Sequence, residues 1–372
     1  MEISTSKNDL LKELTLTQGV VEKKTTIPIL SNVLIEAAGD RIVLTATDLE
    51  LGIRCSCAAR VKKEGSGTVP ARKLLDFVRL LPEGDVQMKF LENHWASITC
   101  GRSRTRIAGM SRESFPELPV MPAKVAEIPV KTLASMIART QFAISTEESR
   151  FTLNGALLLM KPDSLIMVAT DGHRLAYVQA NTAGSGQVEQ NFRALVPKKA
   201  MGELIKLADD ADQDARANFS GDDNHLFFEV GHRLLITRKL TGNFPDFERA
   251  LPKDHTLIAK LQKDEIRAAI ERVAQFADER SRAIRVQFTN GEVKIFSSSL
   301  EMGESEESVN SEYDGPDLEI GFNAQYLLDF LRAIAQAQVA FELKDQKSAG
   351  ELRPAGEGIT DQYRYVVMPM RI

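Results

Sequence analysis

Along residues 196–210, VPKKAMGELIKLADD, apolar side chains recur at Met201, Leu204, Ile205 and Ala208, the spacing of one helix face. Lys199 and Lys206 stand on another face, and Pro197 suits a first helical position. An earlier stretch, VPARKLLDFVRLLPE, repeats the pattern: Pro70 matches Pro197, Arg72 matches Lys199 and Arg79 matches Lys206. A later one, GFNAQYLLDFLRAIA, sets Arg332 opposite Lys206. The apolar positions recur as Leu74, Met201 and Leu327, then Phe77, Leu204 and Phe330, then Val78, Ile205 and Leu331. The chain reads as one module built three times, with a period of about 125 residues.

Within the first copy, residues 8–21 predict a helix with Leu10, Leu11 and Leu14 on one side and Asn8 as candidate cap. Strands follow over 32–37, 41–47 and 52–59, with Gly39-Asp40 turning the first pair, then over 86–90, 95–100 and 104–108. A proline-rich stretch, 118–122, reads as a linker. The second copy opens with a helix over 131–142, Leu133, Met136 and Ile137 inward and Arg139 outward, then strands over 154–160 and 165–169. The third has a helix over 264–276, where Arg272 aligns with Arg139, strands over 284–288 and 293–298 joined at Asn290-Gly291, and a helix over 324–335. Two helices and about seven or eight strands per module predict α+β rather than a doubly wound sheet. Three domains are expected: 1–122, 128–250 and 251–372.

Composition adds boundaries. With 43% hydrophobic and 27% charged residues, a 372-residue chain can fold into three domains with their own cores. The N-terminus lacks a signal-peptide pattern, and the apolar runs are too short to span a bilayer, so a cytoplasmic protein is expected. Three cysteines, of which Cys55 and Cys57 alternate along a strand, complete neither a zinc site nor a disulfide set. A net charge of −5 argues against a protein basic all over, but leaves room for a local cationic face.

The most distinctive loop is ATDGHRLA, residues 169–176, whose counterpart in the first copy is ATDLE. Asp171 and Gly172 have the chemistry of a tight turn; Asp171 with His173 could also be an acid–base pair or metal ligands. No nucleophile elbow, paired glutamates, P-loop or zinc-protease pattern accompanies them. The acidic run 301–307 reads as solvent-facing loop. The terminal YVVMPMRI is apolar enough to be a docked core strand or an adaptable partner surface.

Taken together, TVPARKLLDFVRLLPEG, ATDGHRLA, FPDF and YVVMPMRI closely resemble the family of bacterial DNA polymerase III β subunits, the sliding clamps, over the whole chain. The resemblance implies three clamp domains per subunit and two subunits head to tail in a ring, helices lining the hole and antiparallel sheets outside. It implies a processivity factor without catalytic residues, cofactor or metal, which encircles duplex DNA without reading sequence. Lys24, Arg72, Arg79, Arg139, Lys199, Lys206, Arg272 and Arg332 would then face DNA. The groove for partner peptides would be Leu153, Thr170, Gly172, His173, Arg174, Leu175, Pro245, Arg249, Val366, Met368, Pro369, Met370 and Arg371. Its implied users are the DNA polymerase III alpha subunit, the clamp loader delta subunit, other polymerases and repair proteins. Ile107 and Phe276 match positions of the dimer joint. Departures from the family pattern stand at Thr105, Glu147, Glu148, Thr152, Ala250, Lys347 and Ala349.

Two other classes make different demands. A hydrolase centred on Asp171 and His173 needs further acids or a nucleophile at a recognisable spacing, and none is present. A repeat scaffold without a nucleic-acid role has no reason to align Arg79, Lys206 and Arg332.

Overall fold

The computed structural model describes residues 1–22, 25–181, 191–299 and 303–371. Lys24, expected to face DNA, and Glu301 of the acidic run lie outside the described residues. The α-helices are α1 (Lys7–Val20), α2 (Ala71–Leu80), α3 (Val130–Thr140), α4 (Lys198–Asp209), α5 (Lys263–Val273) and α6 (Ala324–Ala333), two for each sequence copy. Their buried faces follow the repeat: Leu74, Leu75 and Val78 in α2, Met201, Leu204 and Leu207 in α4, Leu327, Phe330 and Leu331 in α6. Phe77 and Ile205 are only partly covered, because each helix buries slightly more of one flank than strict repetition implies. Two expected start signals shift. Ser6, not Asn8, precedes α1, and Asn8 Nδ2 donates to Glu83 at 3.1 Å instead. Pro197 closes the strand Phe192–Pro197, so α4 begins one residue later.

The chain packs into two compact units, although its sequence repeats three times. The first comprises Met1–Ala134 and Lys199–Lys239; the second comprises the described residues of Ser135–Gly184, Val188–Lys198 and Leu240–Ile372. Strand pairing accounts for the difference, because sheets run across the repeat boundaries.

In the first unit a five-stranded antiparallel sheet runs Arg60–Lys63, Glu2–Ser6, Asp85–Phe90, Trp95–Cys100 and Ser103–Ala108. An eight-stranded sheet joins copies one and two: Arg233–Arg238 pairs antiparallel with Leu51–Ala58, from Arg233 opposite Cys55 to Thr237 opposite Leu51. At this seam Glu13 accepts two bonds from Arg233, from Nε at 2.9 Å and Nη2 at 2.6 Å, with both side chains almost fully buried. Gly19 on α1 lets Glu203 of α4 lie against bare backbone, since a Cβ there would stand 2.1 Å from Glu203 Oε2.

Cys55 and Cys57 are free thiols on the same strand. Burial, against the contact with Thr5, pushes the Cys57 thiol up to about 11. Alkylation of Cys57 by iodoacetamide should therefore be slow at pH 8 and rise about tenfold per pH unit toward pH 11. Site-resolved mass spectrometry checks this; a rate already levelling near pH 9 contradicts it.

In the second unit a twelve-stranded antiparallel sheet begins with Phe192–Pro197, Gly155–Lys161, Ser164–Thr170 and Arg174–Asn181. It continues through Gln362–Val367, Gly350–Ala355, Gln338–Leu343 and Leu257–Gln262 to the strands between residues 283 and 323. The join between copies two and three is Arg174–Asn181 against Gln362–Val367, from Arg174 opposite Val367 to Gln179 opposite Gln362. The C-terminal segment is thereby docked as core strand through Val367, and Tyr365 stacks on Phe330 at 5.1 Å.

The acidic run is not a loop over its described part. Gly303–Glu312 is a strand paired along its length with Glu292–Ser299, which carries Val309 opposite Val293 into the core. Ladder bonds and this alternate burial outweigh the poor strand propensity of glutamate and serine.

Candidate functional site

The ATDGHRLA loop is built from its own side chains. Thr170 Oγ1 donates to Arg174 O at 2.6 Å and accepts from Gly172 N at 3.1 Å, while Asp171 Oδ1 accepts from His173 N at 2.9 Å and Arg174 N at 3.1 Å. Gly172 has φ +91°, a left-handed conformation natural to glycine. The first copy repeats the bonds: Thr47 Oγ1 to Leu51 O at 2.9 Å, Leu49 N to Thr47 Oγ1 at 3.0 Å, Glu50 N to Asp48 Oδ1 at 2.9 Å. A turn made twice is architecture. Asp171 is further committed through Oδ2 to Arg174 Nε at 2.9 Å, so no acid–base pair forms with His173.

Arg174 anchors the loop. Its Nη1 donates to Asp329 at 2.6 Å and its Nη2 to Phe142 O at 2.6 Å, and its guanidinium lies 4.3 Å from the Tyr326 ring centroid. Burial disfavours its charge, yet Tyr365, Asp329 and Asp171 outweigh that and hold its pKa above the ordinary value. Arg174 is permanently cationic and structural.

Beside this loop lies an apolar floor. Leu153, Leu175, Tyr177, Phe244, Phe247 and Val366 share one buried cluster, against which Ala349 packs. Above it the rim is open: His173, Pro245 and Arg249 are exposed, and Met368 keeps 50% of its surface exposed despite being apolar. Met368 N donates to His173 O at 2.9 Å, which fixes the tail against the loop; Met370 N donates to Gly321 O at 2.8 Å, with Pro369 between them and Arg371 exposed beyond. Arg249 pairs with Asp246 at 2.9 Å. The residues expected for the groove thus come from four separated segments, 153, 170–175, 245–249 and 366–371, and Leu153, Leu175 and Val366 among them meet in the buried floor below an exposed rim. Among the departures, Ala250 and Lys347 are exposed and Thr152 stands beside Gly242. Phe151, 70% exposed beside Leu153, was missed; no pattern in the sequence separates it from a core phenylalanine.

The expected DNA-facing cations behave unequally. Arg72 and Arg79 are exposed on α2, Arg72 with only a 3.9 Å contact to Asp76. Lys199 pairs with Asp48, Lys206 with Glu203 at 2.7 Å, Arg272 with Glu307 through two bonds of 2.7 Å, and Arg332 with Glu271 at 2.8 Å. Arg139 departs from expectation. Its side chain is 16% exposed, bound to Asp361 at 2.6 Å and set over Tyr363, so it holds α3 to the sheet and offers no charge to a ligand. Ile107 also departs: at 3% exposure it belongs to the core of its own chain, while its strand Ser103–Ala108 presents Arg104 and Arg106 outward. Phe276 is partly exposed at the end of α5.

Among the described residues one grouping has metal-ligand chemistry, His255 with Glu342 and Glu351. Both oxygens of buried Glu351 are held by Arg364, and Oε1 also by Arg353, so a cation would have to displace two arginines.

A seam-joined antiparallel repeat with helix-borne cations and a tail-lined groove is the design of a DNA sliding clamp. Residues 1–119, 127–246 and 248–371 match the N-terminal, central and C-terminal domains of the DNA polymerase III beta subunit. The chain is 36% identical to a beta sliding clamp of Pseudomonas aeruginosa over 374 residues, covering 100% of both. It superposes on the crystal structure of the Pseudomonas aeruginosa DNA polymerase III subunit beta with a TM-score of 0.93 at 35% identity, covering 100% of each chain. A sliding clamp of the same organism bound to griselimycin gives the same TM-score. The chain belongs to the DNA polymerase III beta subunit family. It is a processivity clamp of the replicative polymerase and a non-catalytic subunit. Among the described residues no helix is long and apolar enough to cross a membrane.

Proposed function

We propose that two copies close head to tail into a ring around duplex DNA in the cytoplasm, and that the groove tethers polymerase and other clients to it. The observation that carries the ring is a pair of unused strand edges. Among the described residues Ser103–Ala108 pairs on one side only, and so does Gly303–Glu312 before Ser311. The first edge exposes Arg104 and Arg106; the second exposes Glu304 and Glu306, with the same two-residue alternation. Strand addition between copies satisfies the open backbone groups and sets arginine against glutamate. A ring holds DNA by topology, so its phosphate contacts should be individually weak. Cations already paired to carboxylates, such as Lys206 and Arg332, meet that need without seizing one phosphate.

Partners of the groove are short segments that place leucine or phenylalanine on the apolar floor. By this reading they come from the DNA polymerase III alpha subunit, the clamp loader delta subunit, other polymerases and repair proteins.

Protein loaded on closed circular DNA should stay bound and should leave when the circle is cut. Arg104→Glu with Arg106→Glu should turn the dimer into monomer by sedimentation and abolish retention, and Glu304→Arg with Glu306→Arg in the same chain should restore the dimer. Equal loss from closed and cut circles would sink the ring.

A further inference from the structure

One cavity in the second unit carries charge that the groove leaves unused. It encloses about 570 Å³ between the Asp171–Arg174 loop, residues 142–147, Lys198 at the start of α4, residues 279–282 and the first turn of α6. Two of its carboxylates are engaged, Asp171 by Arg174 and Glu147 by Arg150 at 2.8 Å. Among the described residues Lys198, Arg280 and Arg282 have no carboxylate within 4.0 Å; Glu279 on the lining and Asp278 in the same turn, which acts on Arg280 from further off, are the acids left to offset them. The contrast with Lys199, Lys206, Arg272 and Arg332, each set against a carboxylate, is plain. Three like charges gathered in a concavity repel one another until an anion enters.

The turn that presents two of them is held firmly. Asp278 Oδ1 accepts from Arg280 N at 3.1 Å and Ser281 N at 2.9 Å, and Asn323 Nδ2 donates to Ser281 O at 3.1 Å. Arg282 keeps φ +50°, disfavoured for a long side chain, because its N–H donates to Asp278 O at 2.8 Å and its carbonyl accepts from Ala324 N at 2.9 Å. The backbone that carries the arginines is therefore fixed, which leaves only their exposed side chains to be ordered on binding.

His173 and Arg174 belong both to this cavity and to the groove. We propose that the cavity is a subsite for a carboxylate side chain of the peptide in the groove, an aspartate or glutamate flanking its apolar anchor. The proposal rests on the peptide-groove reading. A guanidinium pair suits a carboxylate on a short stem. A duplex phosphate fits less well, since a clamp that seated each passing phosphate in a three-cation hollow would stall.

The test uses full-length protein and acetylated, amidated peptides with a Leu-Phe anchor, flanked on one side or the other by two aspartates or two asparagines. One aspartate peptide should bind about five- to tenfold tighter than its asparagine twin, and the preference should shrink with salt. Arg280→Gln with Arg282→Asn, the latter chosen because asparagine tolerates positive φ, should remove the preference and leave asparagine-peptide affinity within about twofold, the neutral-flank baseline. No preference in the wild type, or one that survives the double substitution, overturns the subsite while leaving the groove intact. Failure of every peptide to bind removes the groove and the subsite with it. Loss of retention on circular DNA with peptide discrimination unchanged assigns the cavity to phosphate and overturns the proposal.

Discussion

Arg233→Met lowers the stability of the first unit by about 3–5 kcal/mol, the range for removing one partner of a buried ion pair. Arg233 is 4% exposed and Glu13 3%, and the guanidinium also holds Asp210, which Lys12 reaches at 2.8 Å. Without Arg233, Glu13 keeps His232 Nε2 at 3.2 Å as neighbour, and that imidazole is half exposed. The carboxylate is then buried with too little positive charge around it. Glu13→Leu together with Arg233→Met should recover most of the loss, since packed apolar side chains need no compensation. Thermal and urea unfolding of the four proteins closes the cycle; a double variant no more stable than Arg233→Met would refute the argument. Acid acts on the same cluster. Burial works against the Asp210 charge, but Lys12 and Arg233 hold its carboxyl below the usual range. A depressed pKa contributes stability that is present above the ordinary carboxylate range and lost as pH falls through the folded value.

Arg174→Ala should abolish detectable groove binding, a loss of at least about tenfold, and destabilise the second unit by about 3 kcal/mol. Asp171 and Asp329 would face each other without their shared cation, and Phe142 O would lose its donor. The loop that positions His173 and Leu175, and through His173 O the Met368 backbone, would loosen. Arg174→Lys should rescue little, because one ammonium cannot span three acceptors in a plane and lie over Tyr326 as well. Peptide binding by fluorescence anisotropy and amide exchange over residues 170–175 measure the two effects. Full recovery of both by lysine would mean that charge alone matters there.

Much was legible in the chain because repetition amplifies weak signals. A lysine on one amphipathic helix is a solvated surface residue; Arg79, Lys206 and Arg332 at matching places are a shared design. The Thr-Asp turn was legible for the same reason, and the structure builds it twice with the same bonds. Hydrophobic spacing placed every α-helix within a few residues, since burying one face of a short helix tolerates little slippage.

Other features depend on residues far apart in sequence. Nothing local to Arg139 announces that Asp361 will neutralise it, and nothing near Ile107 separates a core side chain from an interface one. The acidic run 301–307 reads as loop, yet its described part, from Gly303 on, is strand because Glu292–Ser299 pairs with it, and a strand's stability lies largely in its neighbour. The sequence alone determined the threefold repeat and the helix faces, consequences of periodicity and short-range turn chemistry, while the groove residues were expected only through the family resemblance of its motifs. Only tertiary structure decided which cations are paired, which strand edges stay open and how sheets join the copies into two units, because each of these depends on long-range pairing between segments whose separation in sequence carries no signal.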